Sequence, residues 1–384
     1  MVNIFLNLIS NLFKNKREHS LVIEEIGNHF EVTYARIDAA GKEIFIRKRK
    51  KTKNLNRLKK PFFLLDKLVL ALGSSRATTI ESSVYLRRSK PNEIINEAEL
   101  DHMIFRGLWE FLNHYRSWAA KKMSVADIDL VLANIEIKDV GLGTHRVFNP
   151  LGFKGPDFFL RLRGTFVPRA MLETINRFQS WTKYLAVVED AGIVSATIPE
   201  PVDLAVHSDN AKTVVFSLAE AERLYLKEIP WGLMNIITAV SRIFGSDEET
   251  ARLILNQYLE GRVSKRFDRL IRGAVNKEFK ALLGHLASIY NKAKRKSRPN
   301  IHFNFRFTIK PPLLLFGGSK MKLMNFVKWL ELQGYSIETG HGDAFNQKTQ
   351  QNTLALLMHV YQYPHYDFLN QMLRRRAKWL IANP

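Results

Sequence analysis

The chain has no cysteine among its 384 residues, which excludes disulfides, thiolate metal sites and cysteine nucleophiles. It also lacks a run of about 20 uninterrupted apolar residues, the length that a membrane-spanning helix needs. Charged residues follow the apolar N-terminus rather than precede it, and no small-residue cleavage site is visible. The N-terminus is therefore a poor secretory signal, and we expect a cytoplasmic protein.

Acidic residues are scarce relative to basic ones: 37 Asp and Glu stand against 58 Lys and Arg, so the formal net charge is +21. Such a balance favours polyanionic partners, meaning nucleic acid or an anionic membrane surface. The densest cationic run is residues 47–60, which is either a solvated loop or a phosphate-contacting segment. No aromatic residues interleave that run, so base stacking is not indicated.

The order of elements predicts an α/β chain of two lobes with an inserted subdomain, because β-rich, mixed and helical segments succeed one another. A first hairpin turns at Gly27 and Asn28. A buried strand at residues 313–316 leads into the pair Gly317-Gly318 and then a helix. The expected boundaries are an N-terminal amphipathic helix (1–19), a first lobe (20–62 and 166–211), an inserted subdomain (63–165), a second lobe (212–363) and a C-terminal amphipathic helix (364–384).

Both ends of the chain have helical periodicity with an apolar side and basic flanks, which is typical of helices that lie in a membrane interface. The alternative is that each helix packs on its own domain. The candidate membrane-binding residues are Phe5, Leu8, Ile9 and Leu12 at the N-terminus, and Phe368, Leu369, Met372, Leu373, Arg374, Arg375, Lys378, Trp379 and Leu380 at the C-terminus.

Several segments resemble the bacterial division protein FtsA and its relative PilM, a pilus-assembly protein. Residues 149–168 (NPLGFKGPDFFLRLRGTFVP) resemble the stretch that leads out of the inserted subdomain of FtsA. Residues 191–201 and 228–245 are similar to later segments of the same family. The resemblance implies an actin-like (ribonuclease H-like) two-lobed fold with an FtsA-type inserted subdomain.

The resemblance also implies a nucleotide site, with positions at Glu25, Gly27, Asn28, Gly232, Lys277, Glu278, Gly317, Gly318 and Ser319. Its phosphate loops depart from the family pattern. In the first loop Glu25 replaces Asp and Asn28 replaces the hydroxyl residue. The second loop aligns only with residues 216–221, which contain no glycine. We therefore expect little or no ATP hydrolysis. Two alternatives stay open for the glycine pair: weak binding of ATP with Mg²⁺, or a tight turn that binds no ligand.

Three functions compete on this basis. The first is a membrane-associated, actin-like scaffold of cell division that links a partner such as FtsZ to the inner face of the membrane and self-associates into filaments. The second is a PilM-like adaptor that binds a short cytoplasmic peptide of an inner-membrane pilus or secretion protein. The third is a nucleic-acid-binding protein that uses residues 47–60 and 292–298, and it ranks last because no groove-reading motif is visible.

Overall fold

The structure, a computed structural model, describes residues 18–38, 42–196, 203–218, 222–292, 300–308, 315–316, 319–320, 322–323, 326–339, 347–361 and 367–377. Its strands are, in chain order, β1 (Glu18–Ile26), β2 (His29–Asp38), β3 (Glu43–Thr52), β4 (Leu65–Leu72), β5 (Thr78–Arg87), β6 (Leu130–Leu142), β7 (His145–Arg146), β8 (Asp157–Pro168), β9 (Thr182–Glu189), β10 (Leu204–Ser208), β11 (Thr213–Leu218), β12 (Glu222–Ile229), β13 (Ile301–Phe305), β14 (Leu315–Phe316), β15 (Ser319–Lys320), β16 (Lys322–Leu323) and β17 (Ser336–Thr339). Its α-helices are α1 (Glu97–Met123), α2 (Leu172–Gln179), α3 (Asp190–Ala196), α4 (Leu233–Phe244), α5 (Glu248–Leu259), α6 (Lys265–Lys292), α7 (Phe326–Leu332), α8 (Gln347–Tyr361) and α9 (Asp367–Ala377).

The first sheet has six strands in the order β17-β3-β2-β1-β4-β9. β1, β2 and β3 form antiparallel pairs, whereas β4 and β9 add in parallel on the other side of β1. The middle of β1 is buried on both faces because helices cover both sides of the sheet. α7 and α8 pack on one face and α2 on the other, which places separate apolar cores above and below the sheet.

The second sheet repeats this plan. β10, β11 and β12 form antiparallel pairs, and β13 and β16 add in parallel on the other side of β10. α4, α5 and α6 cover one face and share an apolar core with β10 and β13. The two lobes of the fold are therefore built on the same strand order, which the sequence periodicity alone did not reveal.

The inserted subdomain continues the second sheet. β12 pairs with β5, and the order runs on through β8, β6 and β7 to give nine strands. α1 lies across this part of the sheet, with Leu100, Ile104, Leu108 and Phe111 fully buried in its core. Asn96 begins the helix by accepting a hydrogen bond from the Glu99 amide, which satisfies one otherwise unpaired donor of the first turn.

Three strands lie on the other side of the boundaries expected from the sequence. β4 belongs to the first sheet rather than the inserted subdomain, and β10 belongs to the second sheet rather than the first lobe. β17 returns to the edge of the first sheet, where it pairs in parallel with β3. Such long-range returns depend on tertiary pairing, and no local pattern in the sequence predicts them. No helix within the described ranges is long and apolar enough to cross a bilayer.

Candidate functional site: the cleft between the two sheets

Two hairpin turns occupy corresponding positions in the two sheets. Gly27 and Asn28 join β1 to β2, and residues 209–212 join β10 to β11. Because the first phosphate loop of the resemblance lies at the β1–β2 turn, the repeated plan makes residues 209–212 its counterpart in the second sheet, rather than residues 216–221. Phe216 and Ser217 lie within β11 and are buried, and residues 219–221 lie outside the described ranges.

The first turn already has partners for its acidic side chain. The Glu25 carboxylate accepts a hydrogen bond of 3.0 Å from the Gly73 amide and pairs with Arg76 Nε at 3.3 Å. Gly27 has φ +56°, a backbone conformation that glycine adopts without steric cost. Gly27 and Asn28 are exposed at the tip. The turn is thus a tight hairpin whose carboxylate is held by groups of the first lobe.

The second turn uses its own side chain to satisfy its backbone. The Asp209 carboxylate accepts hydrogen bonds of 2.8 Å from the amides of Ala211 and Lys212, an arrangement typical of Asx turns. A phosphate loop needs such N–H groups free to face the phosphate oxygens. These two amides donate to a carboxylate instead, and the carboxylate adds negative charge where a phosphate would have to approach.

Lys212 joins the second turn to the first lobe. Its Nζ lies 2.8 Å from the Glu228 carboxylate and 3.2 Å from Ser74 Oγ, just beyond the end of β4. Ser74 is itself 3.4 Å from Glu228. One cation, one carboxylate and one hydroxyl therefore connect the two sheets across the cleft.

A buried ion cluster joins residues of the two lobes. Arg306, which follows β13, pairs with Glu24 of β1 at 3.0 Å and also with Asp190 at the start of α3. Thr353 of α8 donates a hydrogen bond of 2.5 Å to the second oxygen of Glu24. The guanidinium is largely buried and the two carboxylates almost completely so. Charges so deeply buried are stable only when paired, so this cluster requires both lobes to stay together.

Burial sets the protonation of this cluster. The pKa of Glu24 is raised to about 7, mainly by desolvation. The nearby Asp190 charge also raises it, whereas the Arg306 charge lowers it. Burial likewise raises the pKa of Asp190. The neighbouring His207 has Asn304 Nδ2 at 3.2 Å and Arg306 Nε at 3.3 Å from its two ring nitrogens. Burial and the adjacent Arg306 charge hold the pKa of His207 well below its usual range, so its ring stays neutral.

The structure brings together some of the predicted nucleotide-contacting residues. Gly232 precedes α4 and packs directly on the β10–β11 turn: a Cβ there would lie 2.5 Å from the Asp209 carbonyl oxygen. Trp231 Nε1 donates to the Glu278 carbonyl oxygen at 3.1 Å, which places Glu278 beside Gly232, while Lys277 is exposed on α6. The glycine at residue 232 is thus explained by close backbone packing.

The glycine pair of the predicted nucleotide site falls outside the described part of the chain. Gly317 and Gly318 lie outside the described residues, and Ser319 lies in the short strand β15, which pairs with β14. Within the part of the chain that the structure describes, no three His, Asp or Glu side chains are grouped so that they could hold a metal ion.

These residues do not fit ATP and Mg²⁺. The amides of the second turn donate to Asp209, Glu25 is held by Gly73 and Arg76, and the carboxylates of Glu24 and Asp190 are paired with Arg306.

This buried ion cluster was not predicted from the sequence. The available signal was a charged residue within an otherwise apolar strand pattern, as at Glu24 in LVIEEI and Arg306 in IHFNFRF.

The C-terminal membrane prediction needs correction for three of its residues. Leu369, Met372 and Leu373 of α9 are buried in the core of the inserted subdomain, against α1 and β6. Asn370 of the same helix hydrogen-bonds the Ile137 backbone, with its Oδ1 accepting from the amide at 2.8 Å. The amphipathic pattern was real, but the chain's own core covers the apolar face.

The remaining membrane candidates have other positions. Phe368, Arg374 and Arg375 are exposed on the outer side of α9. Lys378, Trp379 and Leu380 lie outside the described residues, as do Phe5, Leu8, Ile9 and Leu12. For these, membrane binding stays a prediction.

Comparison with known proteins supports the fold. No protein-family model matches the chain, and no curated protein matches its sequence significantly. Among solved structures, the PilM–PilN type IV pilus biogenesis complex matches with a TM-score of 0.50 and 12% identity, covering 90% of this chain and 98% of that chain. The cytoplasmic domain of EpsL, an inner-membrane component of the type II secretion system of Vibrio cholerae, matches with a TM-score of 0.34 and 9% identity over 90% of this chain and 96% of that chain.

A Bacteroides thetaiotaomicron protein of unknown function with an actin-like ATPase fold matches with a TM-score of 0.35 and 8% identity, covering 89% of this chain and 96% of that chain. At these identities the likeness concerns the fold alone. Together with the repeated strand order of the two lobes, it confirms the prediction that the chain has the actin-like ATPase fold. Proteins with this fold generally bind ATP with Mg²⁺, which makes the side-chain-filled cleft of this chain informative.

Proposed function

We propose that this protein is an actin-like adaptor of a membrane-bound pilus or secretion assembly, and that it acts as a scaffold without hydrolysing ATP. The observation that carries the proposal is the cleft between the lobes. Arg306, Glu24 and Asp190 form a buried ion cluster between the lobes, and Lys212 adds a second ionic contact between them. An actin-like protein whose lobes are held together in this way keeps one conformation, so its surfaces bind partners without a nucleotide-driven change of state.

The choice of a pilus or secretion assembly over cell division rests on two points. The division hypothesis depended on a C-terminal membrane helix, but α9 buries Leu369, Met372 and Leu373 in its own core. The similarity in fold to PilM from the PilM–PilN complex then favours an adaptor of that kind. A tubulin-like partner such as FtsZ, and self-association into filaments, stay predictions.

In this proposal the partner is a short cytoplasmic segment of an inner-membrane protein, and the adaptor lies on the cytoplasmic face of that membrane. The experiment is isothermal titration of the full chain with synthetic peptides that copy the cytoplasmic segments of single-pass membrane proteins encoded beside its gene. A peptide of the same composition in scrambled order is the matched control.

We expect saturable binding of one such peptide, with the same affinity in the presence and absence of MgATP, because the cleft is closed by side chains. Binding of an FtsZ tail peptide with no binding of the membrane-protein segments would favour the division scaffold instead. ATP hydrolysis by the full chain that depends on Glu25 would refute the scaffold reading altogether.

A further inference from the structure

One surface of the first lobe combines a concavity with unpaired positive charge. An open concavity of about 540 Å³ lies beside β1, β2 and β3, and we call it the basic concavity. Its floor is apolar, with Val32 and Leu65 buried and Leu58 half-buried. Four exposed cations line it: Arg47, Lys50, Arg57 and Lys59.

The cations of the basic concavity differ from their neighbours along β3. Arg49 and Lys51 both pair with Glu31, the carboxylate on the adjacent strand. Among the residues that the structure describes, no carboxylate forms an ion pair with any of the four lining cations. Side chains of one sign, gathered at a concave surface without counter-charges of their own, attract anions strongly.

Next to these cations three consecutive apolar side chains project into solvent. Phe62 is fully exposed, Phe63 is 46% exposed and Leu64 is 51% exposed. The Phe63 ring lies 4.8 Å from the ring of His19 and also lines the basic concavity, so the loop is anchored at this point. An exposed apolar cluster rimmed by polar residues marks a surface that is covered by a partner.

The first described residues of the chain lie at this surface. The described chain begins at Glu18, and the next two residues, His19 and Ser20, line the basic concavity. The preceding 17 residues contain the apolar and basic pattern that the sequence analysis assigned to an interfacial helix. That sequence pattern and the basic concavity are two separate weak membrane signals, and stable anchoring commonly takes two such signals.

We propose that this face docks on an anionic phospholipid surface. The cations of the basic concavity hold lipid phosphates, while Phe62 and Leu64 enter the boundary between headgroups and acyl chains. We favour a lipid surface because it offers phosphates to the cations and an apolar layer to the exposed side chains at the same time. The proposal stands independently of whether the protein also binds a peptide of a membrane protein.

The absence of cysteine from the chain allows a direct test, because F62C supplies a single thiol for an environment-sensitive fluorophore. The full-length labelled protein is mixed with vesicles of phosphatidylcholine containing about one-third phosphatidylglycerol, and with phosphatidylcholine alone. We expect a blue shift and an intensity gain with the anionic vesicles only. L253C, labelled at a site that is 61% exposed on α5 of the second lobe, should show neither.

A second measurement removes the charge. Co-sedimentation of R57A/K59A with the same anionic vesicles should show partitioning lower by about 20- to 30-fold, at about fivefold for each cation. R266A/R269A changes the net charge equally at exposed positions of α6 and should bind like the unmodified chain.

Three results would overturn the proposal. One is that the unmodified chain does not sediment with anionic vesicles, and another is that the label at residue 62 stays in an aqueous environment while the chain binds. The third is that the label responds to a poly-glutamate peptide or an oligonucleotide but not to vesicles, which would make the surface a site for those molecules.

Discussion

Replacing Arg306 by methionine removes the one cation that the structure pairs with both Glu24 and Asp190. Methionine keeps much of the side chain's volume, so the main effect is to leave two buried carboxylates without their positive partner. Breaking a buried ion pair by removing one member costs about 3–5 kcal/mol. We expect a loss of this size in the free energy of unfolding at about pH 8, where both carboxylates would have to stay charged or take up a proton.

The loss should depend on pH in a defined direction. Burial raises the pKa of Glu24 from its usual 4.5 to about 7, so folded Glu24 keeps a proton that the unfolded chain has released. The contribution of Glu24 protonation to the free energy of unfolding is complete below about pH 4.5 and is lost as the pH rises through about 7. At about pH 5 both carboxylates of the variant can be neutral, so the cost of R306M should fall to about 1–2 kcal/mol.

The assay is urea unfolding of R306M and of the unmodified chain at about pH 5 and about pH 8, followed by circular dichroism. R272M is the matched control, because Arg272 pairs with Asp268 on the exposed surface of α6 and should cost less than about 0.5 kcal/mol at either pH. The triple variant E24Q/D190N/R306M should recover part of the stability at the higher pH. Equal losses at both pH values, or a loss no larger than that of R272M, would refute the reasoning about the cluster.

Other predictions follow from packing and protonation. G232A should destabilise the fold by about 2 kcal/mol or more in thermal unfolding, because its Cβ would meet the backbone of the β10–β11 turn, whereas G273A has open space and should be neutral or stabilising. L373A should cost about 2–5 kcal/mol in urea unfolding, far more than F368A at a 41% exposed site; similar costs would mean that α9 does not pack as described. Because the pKa of His207 is low in the folded state, stability should fall below about pH 6.5, by about 2 kcal/mol at pH 5, and H207N should remove this part of the loss. An unchanged pH profile for H207N would contradict the last prediction.

Local patterns predicted the first hairpin and the C-terminal helix. The Gly27-Asn28 turn follows from its residue types, and the structure has the hairpin there. The helix expected within residues 364–384 corresponds to α9. These elements are determined by neighbours in sequence, which is why periodicity and turn chemistry were sufficient.

Contacts between distant residues could not be predicted in the same way. Arg306 and Glu24 are 282 positions apart, and only the fold brings them together. The second turn was missed because its four residues contain no glycine, and its backbone amides are satisfied by the Asp209 side chain instead. The amphipathic face of α9 was predicted, but its partner was not, since the same pattern suits a membrane and a protein core equally.

The cationic run at residues 47–60 contains both paired and unpaired cations, which its composition does not show. Its first part is strand β3, and two of its cations are neutralised by Glu31. Others line the basic concavity without such a partner among the described residues. The unpaired positive charge of this run therefore lies at the basic concavity, because Glu31 neutralises its neighbours. Which cations are paired depends on tertiary contacts that the sequence does not show.

The central claim is that ionic contacts between side chains close the cleft of this actin-like fold where related proteins hold a nucleotide. Equilibrium titration of the full chain with MgATP by isothermal calorimetry tests it most directly. The account predicts no saturable heat up to about millimolar nucleotide, the range in which a weak site would still be seen. Saturable one-to-one binding of MgATP would contradict it, because the Arg306 cluster and the Asp209 turn would then have to open to admit the phosphates.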